Sequence, residues 1–396
     1  MKDIICDETA RLCLQVYRDG LRAVILTGSL ARNEGTFVKD DAFGSLLLGD
    51  AEFLLLFQDR VELPSEADVE VIQRKIEERV RQRGLHVKIT LGTVRTNYLR
   101  DLPPSIFAYE LRAAGETVGG DPDVLSLIPE FTRADIPPED AWRMLANRLV
   151  EQLQNADELL DGREMLSPRV HYSTVKLYLD MATSLLVFVG GYAPTYEQRA
   201  DNLATLSRTQ GRNASWPFSL EQFTRDVVAC TRWKLSTKEP AVDADRGFWE
   251  QAVDYAQGLW LWELARLVGS GGDRAPANLM TLWMRRQSLR HRLRGWAYVA
   301  RRCGWHRSLR RWPHWLPQAL TASPRYLVYA AASEVLFAIP RQLPGGARRT
   351  PPELGDALAG YLPVLRNGGL RTGATWDRLA ADIVWNYNEF LLGTRA

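Results

Sequence analysis

Two groups of residues near the N-terminus have types and spacing that suit phosphate and metal chemistry. A β-branched run ends at Gly28-Ser29, and a later apolar run opens with Asp50-Ala51-Glu52. Glycine lets a ligand approach the backbone, while free N–H groups and a serine hydroxyl suit an anion such as phosphate. Residues i and i+2 of a strand point to one face, so we expect the carboxylates of Asp50 and Glu52 side by side. Such a pair suits Mg²⁺, which takes one or two carboxylates together with nucleotide phosphates.

Hydrophobic patterning predicts the elements that must position these residues. The expected order is an amphipathic helix over 4–19, a buried strand over 22–28, a strand over 52–57, a charged helix over 66–83 and an alternating strand over 85–91. From Pro138 onward nearly every segment has helical periodicity, including one continuous helix expected over 274–303. The sequence therefore predicts an α+β protein, in which an N-terminal α/β domain with a short mixed sheet is followed by a large all-α region.

Loop-forming clusters divide this order into three segments. The clusters GGDPD and IPPED mark a change near residues 119–138, and GSGGD at 269–273 is a candidate hinge. We expect an α/β domain over 1–135, a helical domain over 136–270 and a helical region rich in arginine and tryptophan over 271–396.

The strand, Gly-Ser turn, helix and Asp-x-Glu strand resemble the nucleotidyltransferase superfamily of the polymerase-β type. The best comparison is with the antibiotic and small-molecule nucleotidyltransferases that carry a helical C-terminal domain. Residues 107–125 are similar to the stretch that closes the family's α/β domain, and the resemblance covers about residues 20–135. It implies that Gly28 and Ser29 hold a nucleoside triphosphate and that Asp50 and Glu52 hold Mg²⁺. By the same analogy, phosphate charge is neutralised by three cationic side chains, Arg32, Lys88 and Lys176.

The chain departs from the family in two respects. The spacer between Ser29 and Asp50 holds 20 residues, longer than is usual there, and its segment FVKDDAFGSLLLGD is expected to form an extra strand or flap. Asp40 and Asp41 in this insertion are the alternative metal ligands. The family's third carboxylate is absent, because the predicted strand offers only His86, Lys88 and Thr90 on the relevant face. Three alternatives remain open: one metal with another base such as His86, recruitment of Glu110, or nucleotide binding without transfer.

The function implied is Mg²⁺-dependent, in-line transfer of a nucleoside monophosphate from a nucleoside triphosphate to a small-molecule hydroxyl. ATP is the expected donor, Asp50, Glu52 and Lys88 are the expected catalytic residues, and a sugar or an antibiotic-like polyol is the expected acceptor. The alternative is a degenerate member of the fold that binds a nucleotide or a partner, with the helical region as its working surface.

The formal net charge of +2 conceals a strong asymmetry. Residues 274–333 hold twelve arginines and neither lysine nor any acidic residue, which leaves −10 for the other 336 residues. On a continuous helix, residues 282–311 would place Leu289, Leu293 and Trp296 on one side, with arginines over the rest. We consider a solvated face docked on the acidic remainder, contact with anionic lipid or envelope glycan, and an anionic acceptor. Nucleic acid is the least favoured partner.

Composition and targeting signals bound the class of protein. With 46% hydrophobic and 25% charged residues, the chain is globular, which excludes a disordered chain, a collagen-like chain or a disulfide miniprotein. The four cysteines form no CxxC pair, and the N-terminus lacks the basic and apolar regions of a signal peptide. The longest uncharged apolar stretch, 181–196, is short of the roughly 20 residues of a membrane helix. We therefore expect a cytoplasmic protein without a transmembrane segment.

Overall fold

The computed structural model describes residues 1–40, 44–161, 163–211, 216–236, 244–269, 276–342, 358, 361–364 and 375–391. The protein is α+β, as predicted, and it divides into two compact units. The first unit comprises Met1–Asp140, Leu186–Thr209 and Thr224–Val242, and the second comprises Ala141–Leu185, Gln210–Phe223 and Asp243–Ala396. This division differs from the three consecutive segments predicted from the sequence, because helical segments from the middle of the chain fold with the N-terminal α/β part.

A five-stranded mixed sheet forms the centre of the first unit. Its strands are β1 (Leu21–Thr27), β2 (Phe37–Asp40), β3 (Gly44–Phe57), β4 (Leu85–Arg95) and β5 (Glu116–Gly120). Strand β3 is the longest and pairs antiparallel with β2 and β1, and parallel with β4. Strand β5 pairs antiparallel with β1. The insertion after the Gly-Ser turn thus forms an extra strand, β2, in a hairpin with the start of β3, which confirms that expectation.

Sixteen α-helices have both ends in the described parts of the chain. They are α1 (Lys2–Tyr17), α2 (Gly28–Ala31), α3 (Glu66–Gln82), α4 (Asn97–Arg100), α5 (Ile106–Ala114), α6 (Pro138–Leu153), α7 (Ala156–Leu160), α8 (Pro168–Phe188), α9 (Tyr196–Gln210), α10 (Leu220–Leu235), α11 (Arg246–Val268), α12 (Pro276–Arg286), α13 (Leu289–Cys303), α14 (Trp305–Thr321), α15 (Pro324–Gln342) and α16 (Trp376–Phe390). Among these residues, no helix combines the length and apolar character needed to cross a membrane.

Both faces of the sheet are packed against helices, which follows from the apolar runs of its central strands. On one face, Leu26 and Phe53 belong to a core with α1 and α3, whose buried side chains include Ile5 and Ile76. On the other face, a second core contains Ile25, Leu54 and Leu56 together with Leu111 of α5. The stretches of β1 and β3 that are covered on both sides, residues 23–26 and 53–57, are apolar throughout.

Tryptophan side chains build much of the core of the second unit. Trp142 of α6 is fully buried, 4.6 Å from the ring of Trp260 and 5.4 Å from that of Tyr326. Trp296 and Trp315, from the arginine-rich part of the chain, are also fully buried, with ring centroids 5.6 Å apart. Several of these tryptophans therefore pack in the hydrophobic core, where an aromatic ring of this size buries a large apolar area.

The helix predicted over 274–303 is wrong as a single element. It is broken between α12 and α13, where the side chain of Ser288 caps α13 by accepting a hydrogen bond from the backbone N–H of His291 at 3.2 Å. The predicted apolar side is also divided, because Trp296 is buried while Leu289 and Leu293 are 54% and 50% exposed. Helix α14 was not predicted, since it contains Pro313 and Pro317, which normally interrupt a helix.

Candidate functional site

The two carboxylates singled out in the sequence share one face of the sheet. Asp50 is opposite Lys88, and Glu52 is opposite Thr90, in the parallel register of β3 with β4. Ala51, which alternates with them, is fully buried against the α1 and α3 side. Glu52, Lys88 and Thr90 are exposed and Asp50 is half-buried. The structure thus brings four polar side chains together on the part of the sheet that α5 leaves uncovered.

The Gly-Ser turn lies directly beside this carboxylate pair. Thr27, the last residue of β1, is opposite Glu52, and its hydroxyl donates a 3.4 Å hydrogen bond to the Glu52 carbonyl oxygen. Gly28 has φ +67°, and a Cβ placed on it would overlap the Glu52 carboxylate. Ser29 follows, half-buried, in the single turn of α2. The φ of +67° favours glycine here, while the exposed Glu52 side chain would have to shift to admit a Cβ.

Thr90 of β4 contacts one carboxylate of the pair. Its hydroxyl donates a 2.8 Å hydrogen bond to Oδ2 of Asp50. In the described part of the chain, no group of three or more His, Cys, Asp or Glu side chains could hold a metal ion. Asp50 and Glu52 nevertheless fit Mg²⁺, because this ion commonly uses only one or two protein carboxylates and completes its shell with water and phosphate oxygens.

Asp40, one of the alternative ligands in the insertion, is not adjacent to this pair along β3. The backbone of Asp40 is opposite Gly44, six residues before Asp50 on β3, which corresponds to roughly 20 Å of extended strand. Asp41 lies outside the described residues. His86, the alternative base, is half-buried and opposite Leu46. Asp50 and Glu52 therefore remain the candidate metal ligands.

Arg32 and Glu110 occupy a buried ion cluster instead of the open face. The Arg32 cluster consists of Arg32, Glu34, Glu110, Tyr192 and Arg199. The guanidinium of Arg32, 5% exposed, donates to Glu34 at 2.7 Å and to Glu110. The other carboxylate oxygen of Glu110 accepts from Arg199 and from the Tyr192 hydroxyl. In this structure Glu110 therefore does not act as a third metal ligand. Arg32 pairs with two carboxylates, and this pairing does not fit its expected contact with phosphate.

The charges within the Arg32 cluster stabilise one another. Burial alone would lower the pKa of the Arg32 guanidinium, but Glu110, Tyr196 and Glu34 raise it above its ordinary value. Burial, followed by the charge of Glu110, raises the pKa of the Tyr192 phenol, so its hydroxyl remains a donor. Arg199 is only 4% exposed and therefore has a structural position.

Helices α9 and α10 hold the segment that follows the Gly-Ser turn. The carboxylate of Glu34 accepts a 2.6 Å hydrogen bond from the backbone N–H of Tyr196, the first residue of α9. Lys234 of α10 is 1% exposed, and its ammonium donates to the Glu34 carbonyl at 2.9 Å and to the Thr36 hydroxyl at 2.7 Å. Glu34 and Lys234 were not identified from the sequence. Their only signal is that a charged residue, once buried, needs a partner, and here that partner is distant along the chain.

Lys176 lies in the second unit, on α8. Its ammonium is 5.9 Å from the centroid of the Tyr172 ring, which is a cation–π contact within one helix. Its expected role toward phosphate stays a prediction.

No protein-family model, curated protein or solved structure matches this chain. The function is therefore argued from the arrangement of its own residues.

Proposed function

We propose that this protein is a Mg²⁺-dependent nucleotidyltransferase that moves a nucleoside monophosphate from a nucleoside triphosphate to a small-molecule hydroxyl. One observation carries the proposal: the Glu52 carboxylate lies against Gly28 of the Gly-Ser turn, with Asp50 beside it on the same open face. The chain order also supports it, since β1 leads into the Gly-Ser turn and its neighbour β3 carries Asp50 and Glu52.

Each residue of the open face has a role in holding the donor. The backbone beside Gly28 and the hydroxyl of Ser29 would contact the triphosphate, for which ATP is the expected nucleotide. Asp50 and Glu52 would hold Mg²⁺, which, when bound, neutralises phosphate charge and orients the reacting groups. Lys88, exposed and opposite Asp50, adds a cation at the edge of the same group.

Transfer in this site would depend mainly on positioning and charge neutralisation. Phosphoryl and nucleotidyl groups are transferred with attacking and leaving oxygens in line, so fixed donor geometry contributes much of the rate. The rigid support is present, because Asp50 and Glu52 are on a central strand and Gly28 is at the end of its neighbour. A carboxylate base at the Thr90 position is lacking.

The lack of a carboxylate at Thr90 favours a second candidate function, nucleotide binding without transfer. Thr90 offers Asp50 a hydrogen bond instead of a further metal ligand, and Glu110 is held by Arg32 and Arg199. A degenerate member of the fold would keep the phosphate and Mg²⁺ contacts and use the bound nucleotide as a structural or regulatory ligand.

Thermal-shift measurements distinguish these functions. We expect ATP with Mg²⁺ to raise the melting temperature of the wild type and to lose this effect in Asp50→Asn and Glu52→Gln. GTP, CTP and UTP test base preference, and Glu62→Gln, an exposed carboxylate of the same unit, is the matched control. Pyrophosphate release with a panel of sugars and aminoglycosides supports transfer. Stabilisation without release supports the binder, and no stabilisation by any nucleotide overturns both functions.

A further inference from the structure

Half of the large hydrophobic side chains that are exposed in the described residues lie on two neighbouring helices of the second unit. The six on α13 and α14 are Leu289, Leu293, Leu309, Trp312, Leu316 and Leu320, out of twelve in the described chain. Single exposed apolar residues are ordinary on a protein surface, whereas a concentration of them marks an interaction site.

Four of these side chains form a line along α14, which we call the α14 stripe: Leu309, Trp312, Leu316 and Leu320. Their spacing of three or four residues places them on one side of the helix, and they are 61%, 44%, 46% and 64% exposed. The other side of α14 is anchored in the protein, since Trp315 and Ala319 are 0% and 3% exposed. The helix thus has two apolar sides, and only one of them is buried.

The neighbouring helix α13 holds the α14 stripe in place. The indole N–H of Trp296 donates to the Ala322 carbonyl at 3.0 Å, and the Ser308 hydroxyl donates to the Ala300 carbonyl at 2.8 Å. These contacts align the two helices antiparallel. The stripe is therefore presented by a supported helical hairpin.

The charged residues of the hairpin itself are all basic. No acidic residue occurs from 274 to 333. Five exposed arginines on α12, α13 and α14 make no ion pair with a carboxylate in the described part of the second unit: Arg285, Arg290, Arg294, Arg301 and Arg310. Arg302 is an exception, paired with Glu389 at 3.1 Å. Four of the eight arginines on α13 and α14 are thus exposed without such an ion pair.

We propose that α13 and α14 dock the protein on an anionic lipid bilayer, with α14 lying in the plane of the membrane surface. Apolar side chains would enter the boundary between headgroups and acyl chains, while arginines contact anionic headgroups. A lipid surface explains both the leucines and the arginines of the same hairpin, which is why it is preferred.

Two other occupants explain less of the surface. Single-stranded nucleic acid binds through aromatic stacking and phosphate contacts, but the α14 stripe contains one aromatic ring, Trp312, and three leucines. A second copy of the chain would bring two like-charged surfaces together across a symmetric interface, which is repulsive. Docking on lipid does not depend on the nucleotidyltransferase function, and a test that overturns one leaves the other unaffected.

Vesicle co-sedimentation of the full chain tests this surface. We expect the wild type to pellet with vesicles of phosphatidylcholine and phosphatidylglycerol, and much less with phosphatidylcholine alone. A Leu309→Ser/Leu316→Ser/Leu320→Ser variant should lose at least about tenfold in partitioning. Met165→Ser is the matched control, because Met165 is 63% exposed in the same unit but is not part of α13 or α14. Far-UV circular dichroism verifies that each variant is folded.

A charge variant separates the two contributions. Arg290→Glu/Arg294→Glu/Arg310→Glu should abolish the preference for phosphatidylglycerol, since each basic residue near an anionic surface contributes to attraction. Equal pelleting of the wild type and the leucine variant would overturn the proposal. Two other results would also overturn it. One is displacement of the wild type from vesicles by an oligonucleotide that the leucine variant still binds. The other is a lipid-free dimer of the wild type that the leucine variant fails to form.

Discussion

The hydroxyl of Thr90 donates a 2.8 Å hydrogen bond to Oδ2 of Asp50 across the parallel pair β3 and β4. The neutral hydroxyl of Thr90 thus holds the Asp50 carboxylate on the open face. An acidic side chain at position 90 would repel that carboxylate. The arrangement orients Asp50 without adding negative charge, so two carboxylates, Asp50 and Glu52, define the charge of the candidate metal site.

Replacing Thr90 by aspartate should complete a three-carboxylate site. We expect Thr90→Asp to lower the stability of the metal-free protein by about 1 kcal/mol through repulsion with Asp50. It should also tighten Mn²⁺ binding by about tenfold, measured by isothermal titration calorimetry. Thr90→Val, which removes only the hydroxyl, is the control. Unchanged Mn²⁺ affinity in Thr90→Asp would argue that Asp50 and Glu52 do not form a metal site.

Gly28 gives a test of the close approach between the turn and the Glu52 carboxylate. Gly28→Ala places a Cβ against that carboxylate at φ +67°, and we expect loss of Mg²⁺-dependent stabilisation by ATP. Gly84→Ala is a matched control, because Gly84 has φ +75° and a Cβ there meets nothing within 4 Å. Both variants should lose about 1 kcal/mol from backbone strain. If both retain the ATP effect, Gly28 is not part of a phosphate site.

The Arg32 cluster predicts a large difference between two glutamates of the first unit. Glu110→Gln leaves the buried guanidinium groups of Arg32 and Arg199 without a shared anion, and we expect a loss of about 3 kcal/mol in the free energy of unfolding. Glu130→Gln removes an exposed carboxylate that pairs with Arg112, and screening by water should keep its effect within about 0.5 kcal/mol. Urea unfolding measures both, and equal losses would contradict a structural role for the cluster.

Glu263 in α11 predicts that the protein loses stability as the pH rises. Burial raises the pKa of its carboxyl to about 8, although the Ser184 hydroxyl donates to it at 2.6 Å. The folded protein therefore keeps a proton that the unfolded chain releases near its ordinary pKa of 4.5. Between those values the unfolded state binds fewer protons, so stability falls with increasing pH.

Glu263→Gln should remove this pH dependence. Relative to the wild type, the variant should gain about 3–5 kcal/mol in unfolding free energy between pH 5 and pH 8. Glu250→Gln, at a more exposed position of the same helix, should not change the slope. Parallel slopes for the wild type and Glu263→Gln in urea unfolding across this range would show that Glu263 is ionised in the folded protein.

Local spacing was sufficient to predict the carboxylate pair. Asp50 and Glu52 share a face because strand side chains alternate, and the apolar runs around Ile25 and Leu55 identified the two strands that carry the site. The α+β class followed from the same periodicities. These features depend on neighbours in sequence, which is why patterning could predict them.

Interactions between residues that are distant along the chain could not be predicted from such patterns. Arg32 meets Glu110 across 78 positions, and Lys234 meets Thr36 across 198, so neither pairing has a local signature. Helix α14 was missed for a different reason. Pro313 and Pro317 each lack the N–H of a helical turn, yet Trp315 between them is fully buried and anchors the helix through packing. Tertiary contacts there override the local preference.

Lys234 also bears on how the chain matures during its synthesis. Its buried ammonium holds Glu34 and Thr36, residues made two hundred positions earlier. While the ribosome is still extending the chain, the early sheet can form and Arg32 can pair with Glu34 and Glu110. The Glu34 carbonyl still lacks Lys234 at that stage, and Glu110 still lacks Arg199. The first unit therefore closes only after the intervening helices have been translated, and a fragment ending at Asp140 should lack both of these contacts.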